Sequence, residues 1–477
     1  MIWANLLHIY QPPTQDKDML DRITEESYKK IISGLKENPR GKLTINMNAS
    51  LTELFEKYKY NDVLDDIKYL LSNGQIEITE SAAYHAFLPL IPKEEVIRQI
   101  NLNHIINKRI LGDVYNPTGF FAPELGVSPA VAKIVSDMGY KWMLFDELAF
   151  DQKKGKIKYD RIYYVDGTNL IGYFREREIS FKILSAQVES GDIFLSEIKD
   201  IISDKRFLAT AMDGETFGHH RPGLELLLYD IFKSRAIQCE EYQNLDQFFH
   251  KKDTVNINES TWALIPIELT RSQPYERWFN KSNEIHVKQW TLTYFAIDMV
   301  NKSKYKVDDP MFTNKKEKLN KNQKQWLKAR YMLDKSLHSD QYWWASARPW
   351  WSIDMIERGA NELMTSILLL PEVDAKIKNK AEDIYKDIVF SAFRWEREDI
   401  VGQTVANYDE ETTEMIQTKS LDADPKEYDK VINHLRKQML EASDKENYIK
   451  ALEYRKRIES LRQKQKEIIK NKHGKKN

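Results

Sequence analysis

The first 280 residues alternate between short apolar runs and segments with apolar residues at helical spacing, which limits the folds open to the chain. Strands separated by helices favour a parallel sheet, because parallel neighbours need a long crossover connection. No GxGxxG or GxxxxGK[ST] pattern is present, which weighs against a nucleotide-binding sheet. The alternation leaves open a closed barrel and a doubly wound sheet. We predict strands at 2–7, 42–47, 76–79 and 207–212, and helices at 25–36, 63–71 and 92–111.

The best-defined unit in this half of the chain surrounds one predicted helix. Ser128 is a favoured N-cap, and Pro129 suits the first position of a helix. Apolar residues then recur at i, i+3, i+4 and i+7, and Gly139 follows where the helix would end. The spacing therefore predicts a strand at 119–122, a helix from Pro129, and a second strand at 140–145.

Two carboxylates each follow a predicted strand directly. Glu124 lies in Pro-Glu-Leu-Gly at 123–126, and Asp213 begins Asp-Gly-Glu at 213–215. In a parallel barrel the carboxyl ends of the strands share one face, where such side chains meet. Glycoside cleavage uses two carboxylates, one to protonate the leaving oxygen and one to attack or stabilise the sugar carbon. For either residue, the alternative is an ordinary strand-end acid that pairs with a neighbouring cation.

Other polar and aromatic side chains fall near the predicted strand ends. His8 and Gln11 lie around the end of the first strand, where two prolines turn the chain out of the sheet. Trp142 and Asp146 belong to the strand after the Glu124 unit, and we expect them to line its mouth. His219 is followed by a second histidine, and adjacent side chains on a turn usually diverge. We therefore expect one histidine to contact a sugar hydroxyl or tune a carboxylate, and we predict no metal ligands.

The composition excludes several classes of protein. Lysine and arginine total 72 against 73 aspartates and glutamates, and the net charge of -1 gives no bulk attraction to nucleic acid or membranes. Cys239 is the only cysteine, which excludes an intrachain disulfide and a cysteine-based zinc site. No apolar run approaches the roughly 20 residues of a membrane span, and the N-terminus shows no secretory signal pattern. We expect a cytoplasmic protein with no cofactor and no nucleic-acid or membrane partner.

Beyond about residue 280 the apolar pattern becomes almost entirely helical. The predicted helices are 287–300, 321–336, 353–370 and 375–395. Between the second and third of these helices, Asp340 precedes Tyr-Trp-Trp at 342–344, and a second Trp-Trp pair follows at 350–351. These aromatic side chains can stack on sugar rings or pack between domains. We predict three domains, at 1–280, 281–410 and 411–477.

Taken in order, these segments resemble glycoside hydrolase family 57. That family carries an HxHQP-like segment on its first strand, a PELG-type segment with the nucleophile, and a DGE-type segment with the acid/base. Here they stand at 8–12, 123–126 and 213–215. The family's other regions resemble residues 74–78 with His85, residues 174–180 with Arg175, and the aromatic segment 339–344.

The resemblance implies an α/β protein with a (β/α)7-type barrel followed by a helical domain. It implies retaining action on an α-glucan or oligosaccharide, by hydrolysis or transglycosylation. Glu124 would be the nucleophile and Asp213 the acid/base, so Asp213 should carry the raised pKa. Retention needs the two carboxyls about 5–5.5 Å apart. The resemblance and the positions near strand ends together predict a set of substrate-binding residues. These are His8, Gln11, His85, Trp142, Asp146, Arg175, His219, Asp340, Trp343 and Trp344.

Two positions depart from the family's pattern. Tyr10 stands where many members have the second histidine of HxHQP, so one sugar contact should differ. Residues 80–86 lack the glycine-rich form of the transferases, which weakens a glucanotransferase assignment and leaves the sugar open.

The last 50 residues hold two amphipathic segments separated by a polar break at 443–447. Residues 427–462 resemble the UVR-type helical hairpin of excision-repair proteins, which pairs with another copy or with a partner. We therefore expect a hairpin and basic tail that offer a protein partner or self-association through 427–462, or else a charged surface hairpin.

Two other functions are compatible with the same residues. One is a zinc-dependent carbohydrate deacetylase or α-mannosidase-like enzyme on a related barrel. Its zinc ligands would be drawn from among His8, His85, Asp213 and His219. The other is a non-catalytic glycan-binding protein in which the hairpin recruits a partner.

Overall fold

The computed structural model describes residues 1–151, 153, 155–201, 206–313, 318–416 and 425–474. The strands are β1 Ile2–Ile9, β2 Leu43–Met47, β3 Ile76–Thr79, β4 Gly119–Phe120, β5 Trp142–Asp146, β6 Ile162–Val165, β7 Ile171–Arg175, β8 Phe207–Asp213, β9 Gln238–Glu240 and β10 Lys252–Val255. The helices of the first half are α1 Lys17–Ile23, α2 Lys29–Glu37, α3 Ala49–Tyr58, α4 Asn61–Ser72, α5 Lys93–Leu111, α6 Pro129–Asp137, α7 Arg177–Leu184, α8 Gly191–Glu197, α9 Glu225–Lys233, α10 Leu245–Phe248 and α11 Pro266–Thr270. The later helices are α12 Glu284–Asn301, α13 Lys321–Ser336, α14 Asp340–Trp343, α15 Ile353–Leu368, α16 Ala375–Arg397, α17 Ile400–Ile416, α18 Pro425–Asp444 and α19 Tyr448–Gly474.

Seven strands close a barrel in the order β1-β2-β3-β4-β5-β7-β8. Parallel ladders join β3-β2-β1-β8 in one sheet and β7-β5-β4 in the other. A parallel bridge between Glu80 and Phe120 joins the two sheets on one side. On the other side the backbone N–H of Glu176 donates to the carbonyl of Ala209 at 2.6 Å. The predicted (β/α)7-type barrel is therefore confirmed, with β6, β9 and β10 as additional strands.

Some predicted elements have the predicted bounds, and others differ at one end. The strand at 76–79 and the helix at 321–336 have the predicted bounds. The strand predicted at 119–122 has only two residues, because the chain leaves the sheet before a short 3₁₀ turn, Pro123–Leu125. The helix predicted at 25–36 begins earlier, at Lys17, and contains a π-helical turn, Thr24–Tyr28.

The long helices α12, α13, α15 and α16 pack together and against the barrel. Barrel residues such as Phe120 and Val127 share one buried apolar cluster with Trp290, Leu333 and Ile356 of these helices. The barrel and the helices therefore share a continuous core, and the predicted division at residue 280 stays a prediction.

The two C-terminal helices, α18 and α19, form an antiparallel hairpin that we call the C-terminal hairpin. Its apolar residues lie in the same buried cluster as residues of β1, α2 and α9. The hairpin residues in this cluster include Tyr428, Val431, Ile432, Leu435, Ala442, Tyr454, Ile458 and Leu461. The apolar face that the sequence predicts thus packs on the chain's own barrel.

Among the residues described above, no helix combines the length and the apolar character needed to cross a membrane.

Candidate active site

Glu124 lies in the short turn that follows β4, with an unusual backbone conformation. Its φ is 61° and ψ is 15°, and the next residue, Leu125, also has a positive φ, 45°. Residues with a Cβ rarely adopt this left-handed backbone conformation, and those that do cluster at functional sites. The indole N–H of Trp262 donates to Glu124 Oε2 at 2.7 Å, and the backbone N–H of Trp262 donates to the carbonyl of Glu124. Trp262 therefore holds Glu124 through both its backbone and its side chain.

Asp213 is the last residue of β8 and lies beside His8 of β1 in the parallel ladder. The following residue must be a glycine, because a Cβ on Gly214 would lie 2.5 Å from the side chain of Ile9. This close approach of two strand ends places Asp213 at the same face of the barrel as His8 and Glu124.

The two carboxyls interact electrostatically. Burial, and then the negative charge of Asp213, raise the pKa of Glu124 to about 8. Burial raises the pKa of Asp213 to about 6, while the positive charge of Arg175 opposes the rise. The pair therefore holds about one proton near neutral pH. This order differs from our expectation, since Glu124 and not Asp213 carries the higher pKa in the free protein.

Two histidines form a buried polar layer next to Glu124. His8 Nδ1 lies 2.7 Å from Asn46 Oδ1, and His8 Nε2 lies 3.0 Å from His85 Nε2. His85 Nδ1 lies 2.9 Å from the hydroxyl of Ser339 and 3.9 Å from Glu124 Oε1. Burial lowers the pKa of His8 to about 4 and that of His85 to about 3, so both rings are neutral at pH 7.

Neutral rings allow one consistent direction of donation through this layer. Asn46 Nδ2 donates to Thr79, which turns its acceptor oxygen toward His8 Nδ1–H. His8 Nε2 must then accept from His85 Nε2–H, which leaves His85 Nδ1 to accept from Ser339. Ser339 also forms a hydrogen bond with Glu124, and that bond lowers the pKa of the carboxyl.

Asp340 lies close to His85 and Glu124 and is part of a charged group. The hydroxyl of Tyr10 donates to Asp340 Oδ2 at 2.8 Å, and the Tyr10 ring stacks on His85 with centroids 4.0 Å apart. Although burial opposes it, hydrogen bonds with Asp340 and Glu362 raise the pKa of His338 to about 9. Burial likewise opposes ionisation of Asp340, but His338 holds the pKa of Asp340 below its usual value. Asp340 is thus an ionised acceptor close to Glu124.

Gln11 supports a third buried carboxyl next to Asp213. Its side-chain amide donates to Glu215 Oε1 at 3.1 Å and to the hydroxyl of Tyr28 at 3.1 Å. Tyr28 itself donates to Glu215. Burial and the charge of Asp213 raise the pKa of Glu215 to about 7.

Trp142 lies far from the mouth of the barrel, which corrects the prediction that it lines the mouth. It is the first residue of β5, at the opposite end from Asp146, and it is buried. Its indole N–H donates to Glu77 Oε1 at 3.0 Å on the barrel floor. The predicted strand began two residues too early, which moved Trp142 towards the wrong end of the strand.

Asp146 and Arg175 end neighbouring strands but are bound mainly to each other. Asp146 is fully buried and accepts from Arg175 Nη1 at 3.1 Å and from Arg177 Nη1 at 2.8 Å. His219 lies on the loop after β8, where its Nδ1 is 2.7 Å from Glu26 Oε2. Asp146 and His219 are therefore bound to other charged groups, whereas Arg175 also acts on Asp213 through its charge.

The tryptophans of the aromatic segment are half-buried. Trp343 packs against Trp278 with ring centroids 5.2 Å apart, and Trp344 meets the exposed Trp350 edge-on at 5.7 Å. Trp351 stacks on Trp395 instead, within the helical part of the chain.

His85, Glu124 and Asp340 are a group in the described part of the chain that could hold a metal ion. Each offers one ligand atom, and the three atoms lie within 4.8 Å of one another. Glu124 and Asp340 already accept hydrogen bonds from Trp262 and Tyr10, so a metal ion would compete with both donors.

Several site residues were not predicted from the sequence. Trp262 comes from a loop without periodicity, and no local pattern places it near Glu124. His338 lies two residues before Asp340, but nothing in the sequence marks its pairing with Asp340 and Glu362. Asn46 ends a strand as His8 does, and that shared position was the signal that could have identified it. Glu215 directly follows the Asp213-Gly214 pair, but nothing marks its bond to Tyr28.

Comparison with known proteins gives consistent matches over the barrel. The sequence is 23% identical to an alpha-amylase of Pyrococcus horikoshii over 47% of this chain and 35% of that protein. It is 27% identical to a 4-alpha-glucanotransferase of Thermococcus litoralis over 30% of this chain and 21% of that protein. The chain thus spans about a third or less of the length of these curated relatives.

Solved structures share the fold. The GH57-type branching enzyme of Pyrococcus horikoshii superposes with a TM-score of 0.60 at 16% identity, over 81% of this chain and 94% of that chain. The Thermococcus litoralis 4-alpha-glucanotransferase superposes with a TM-score of 0.57 at 17% identity, over 77% of this chain and 59% of that chain.

Two family models match the sequence. The UvrB/uvrC motif matches residues 429–464, within the C-terminal hairpin. The model of glycosyl hydrolase family 57 matches residues 4–250, just over half of the 477 residues. The chain therefore belongs to glycosyl hydrolase family 57.

Proposed function

We propose that this chain is a retaining enzyme of α-glucans, with Glu124 as the nucleophile and Asp213 as the acid/base. The observation that carries the proposal is the pair of electrostatically coupled carboxyls after β4 and β8, at the carboxyl-terminal face of the barrel. Family membership and the names of the relatives, which include amylases, a glucanotransferase and branching enzymes, support an α-glucan as the substrate class.

The reaction would proceed in two steps. Glu124 attacks the anomeric carbon while Asp213 protonates the glycosidic oxygen, which breaks that bond and leaves a glycosyl-enzyme ester. Asp213 then removes a proton from water or from a sugar hydroxyl, whose oxygen displaces Glu124. Water gives hydrolysis, and a sugar hydroxyl gives transfer.

The proton of the pair must lie on Asp213 when attack begins. In the free protein the pKa of Glu124 is the higher of the two. A bound glycosidic oxygen would accept a hydrogen bond from protonated Asp213 and so favour the productive arrangement. The hydroxyl of Ser339, which contacts both Glu124 and His85, would donate to Glu124 once that carboxyl is ionised.

The polar groups around the pair suit sugar hydroxyls. Ionised Asp340 offers an acceptor, and the half-buried Trp343 and Trp344 offer apolar ring faces. His8 and His85 would hold Glu124 and contact the sugar at the barrel mouth. We assign Gln11, Asp146, Arg175 and His219 to supporting roles.

Incubation with maltooligosaccharides, amylose and glycogen tests this function, with product and linkage analysis. Glu124→Gln should abolish turnover, and Asp213→Asn should lower kcat by about 10²–10⁴-fold. Proton NMR of the first-formed product should show the α-anomer. A first-formed β-anomer, or full activity of Glu124→Gln, would contradict the proposal.

The group formed by His85, Glu124 and Asp340 favours one alternative, a metal-dependent carbohydrate hydrolase such as a deacetylase. Metal analysis of the purified protein separates the two functions. Stoichiometric zinc that is lost together with activity would support the alternative, whereas full activity after chelation supports the glycosidase. A wild type without turnover on any α-glucan would instead favour a glycan-binding protein.

A further inference from the structure

Three buried carboxylates of the barrel side face the C-terminal hairpin, and each pairs with one or two basic side chains of that hairpin. Glu26, Glu189 and Glu225 expose at most 6% of their side chains. An isolated buried charge is strongly destabilising, so these acids depend on their partners. The pairs are Glu26–Lys450 at 3.5 Å, Glu225–His434 at 3.4 Å, Glu189–Arg457 at 3.2 Å and Glu189–Lys464 at 3.0 Å.

Glu26 is the point where the hairpin meets the loop after Asp213. It accepts from His219 Nδ1 at 2.7 Å, from Arg22 Nε at 3.2 Å, and lies 3.5 Å from Lys450 Nζ. Burial opposes its ionisation, but the His219 hydrogen bond and the charges of Lys450 and Arg22 lower the pKa of Glu26. Arg22 also binds Glu453 of α19 at 2.6 Å.

The π-helical turn that contains Glu26 binds the loop that follows Asp213. A π turn is wider than an α turn, and here three consecutive residues, Glu26, Ser27 and Tyr28, are buried. Ser27 donates to the carbonyl of Gly214 at 2.9 Å, and Tyr28 donates to Glu215. The two residues that follow Asp213 are therefore bound to this turn.

The far part of the same loop lies on both the turn and the hairpin. A Cβ on Gly218, whose φ is 109°, would lie 1.9 Å from the carbonyl oxygen of Glu26. A Cβ on Gly223, whose φ is 88°, would lie 3.0 Å from Leu435 of α18. The loop ends at Glu225, which pairs with Lys30 at 2.8 Å as well as with His434.

We propose that the C-terminal hairpin is part of the catalytic unit, and that Lys450 is a positioning residue for Asp213. Lys450 acts through Glu26, which orients His219 and the π turn that binds Gly214 and Glu215. The inference rests on the proposed role of Asp213 as the acid/base. In this proposal the hairpin helps to position Asp213 of the same chain.

The kinetic test uses Lys450→Met, with Lys456→Met as the matched control because Lys456 is exposed on the same helix. Lys450→Met should lower kcat on maltooligosaccharides by about ten- to a hundredfold with KM within twofold, because the acid is misplaced. First-turnover release of fluoride from α-maltosyl fluoride should change less than threefold, since fluoride leaves without protonation by an acid. Lys450→Arg should restore most of the kcat.

An equal loss on both substrates, or a kcat equal to that of the Lys456→Met control, would overturn the positioning role. Hydrogen exchange of residues 214–225 gives a readout without any substrate. It should quicken in Lys450→Met and not in Lys456→Met, and unchanged exchange would also overturn the inference. If the wild type turns over no α-glucan while exchange responds as expected, the proposed function fails and the support of the loop stands.

Discussion

At the scale of single residues, Glu124 is held where its charge is disfavoured. Its backbone is left-handed, its carboxyl is enclosed by protein, and Asp213 and Asp340 add negative charge. The indole of Trp262 opposes these effects, because a hydrogen bond to a carboxylate favours the ionised form.

Trp262→Phe should therefore raise the pKa of Glu124 further. The pair reacts with one proton and Glu124 has the higher pKa, so Glu124 sets the basic limb of the kcat/KM profile. That limb should move to higher pH, by about one unit for the loss of one hydrogen bond to a charged group. A pH–rate series of kcat/KM measures the shift. Trp351→Phe is the control, because that indole donates to Glu396 in the helical part. A limb that stays in place, or moves to lower pH, contradicts the role of Trp262.

The positions of Glu124 and Asp213 at strand ends were predictable, since each follows a short apolar run directly. Their partners were not. Trp262 approaches Glu124 from 138 positions away in a loop without periodicity. The order of the two pKa values also depends on Arg175, whose charge lowers the pKa of Asp213, and no sequence pattern conveys that interaction.

At the scale of elements, the π turn Thr24–Tyr28 and the loop after β8 fit one another closely. Helical periodicity predicted the later part of this helix, from 25 to 36. The start at Lys17 was missed because an extra residue in a π turn shifts the apolar positions out of register. By contrast, the cap at Ser128 and Pro129 depends only on local chemistry and appears as predicted.

Gly218→Ala tests the fit between this turn and the loop. The added Cβ would overlap the carbonyl oxygen of Glu26, and the positive φ adds strain. We expect the free energy of unfolding to fall by about 2 kcal/mol or more. Gly112→Ala is the control, because its φ is also positive, 74°, but a Cβ there meets no atom within 4 Å. Denaturant unfolding compares the two variants, and equal losses would show that the contact with Glu26 is unimportant.

At the scale of the whole molecule, the C-terminal hairpin is joined to the barrel by apolar packing and by buried ion pairs. The amphipathic pattern of 427–462 predicted a hairpin, and two helices with a break at 445–447 are present. The surface that it covers was not predictable. Pairs such as Glu26 and Lys450 lie more than 400 residues apart, and their charges look like any exposed charges in the sequence.

Glu225 makes this docking dependent on pH. Burial opposes its ionisation, but His434 and Lys30 lower the pKa of Glu225 from 4.5 to about 2. The pKa is lower in the folded than in the unfolded chain, so the stabilisation is present above about pH 4.5 and is lost as the pH falls toward 2.

Glu225→Gln should therefore lower the free energy of unfolding by about 3 kcal/mol at pH 7 and by about half of that or less at pH 3. Denaturant unfolding at the two pH values gives the difference. Glu459→Gln is the control, because its pair with Arg455 on α19 is exposed and contributes little. A loss that is the same at both pH values would exclude the ion pairs as its cause.

The division of labour between Glu124 and Asp213 is the central claim, and trapping of the glycosyl-enzyme tests it most directly. Incubation with 5-fluoro-α-glucosyl fluoride, followed by proteolysis and mass spectrometry, locates the labelled residue. We predict one glycosyl group per chain, on the peptide that contains Glu124, and no label on Glu124→Gln. A label on Asp213 or on any other residue would contradict the account.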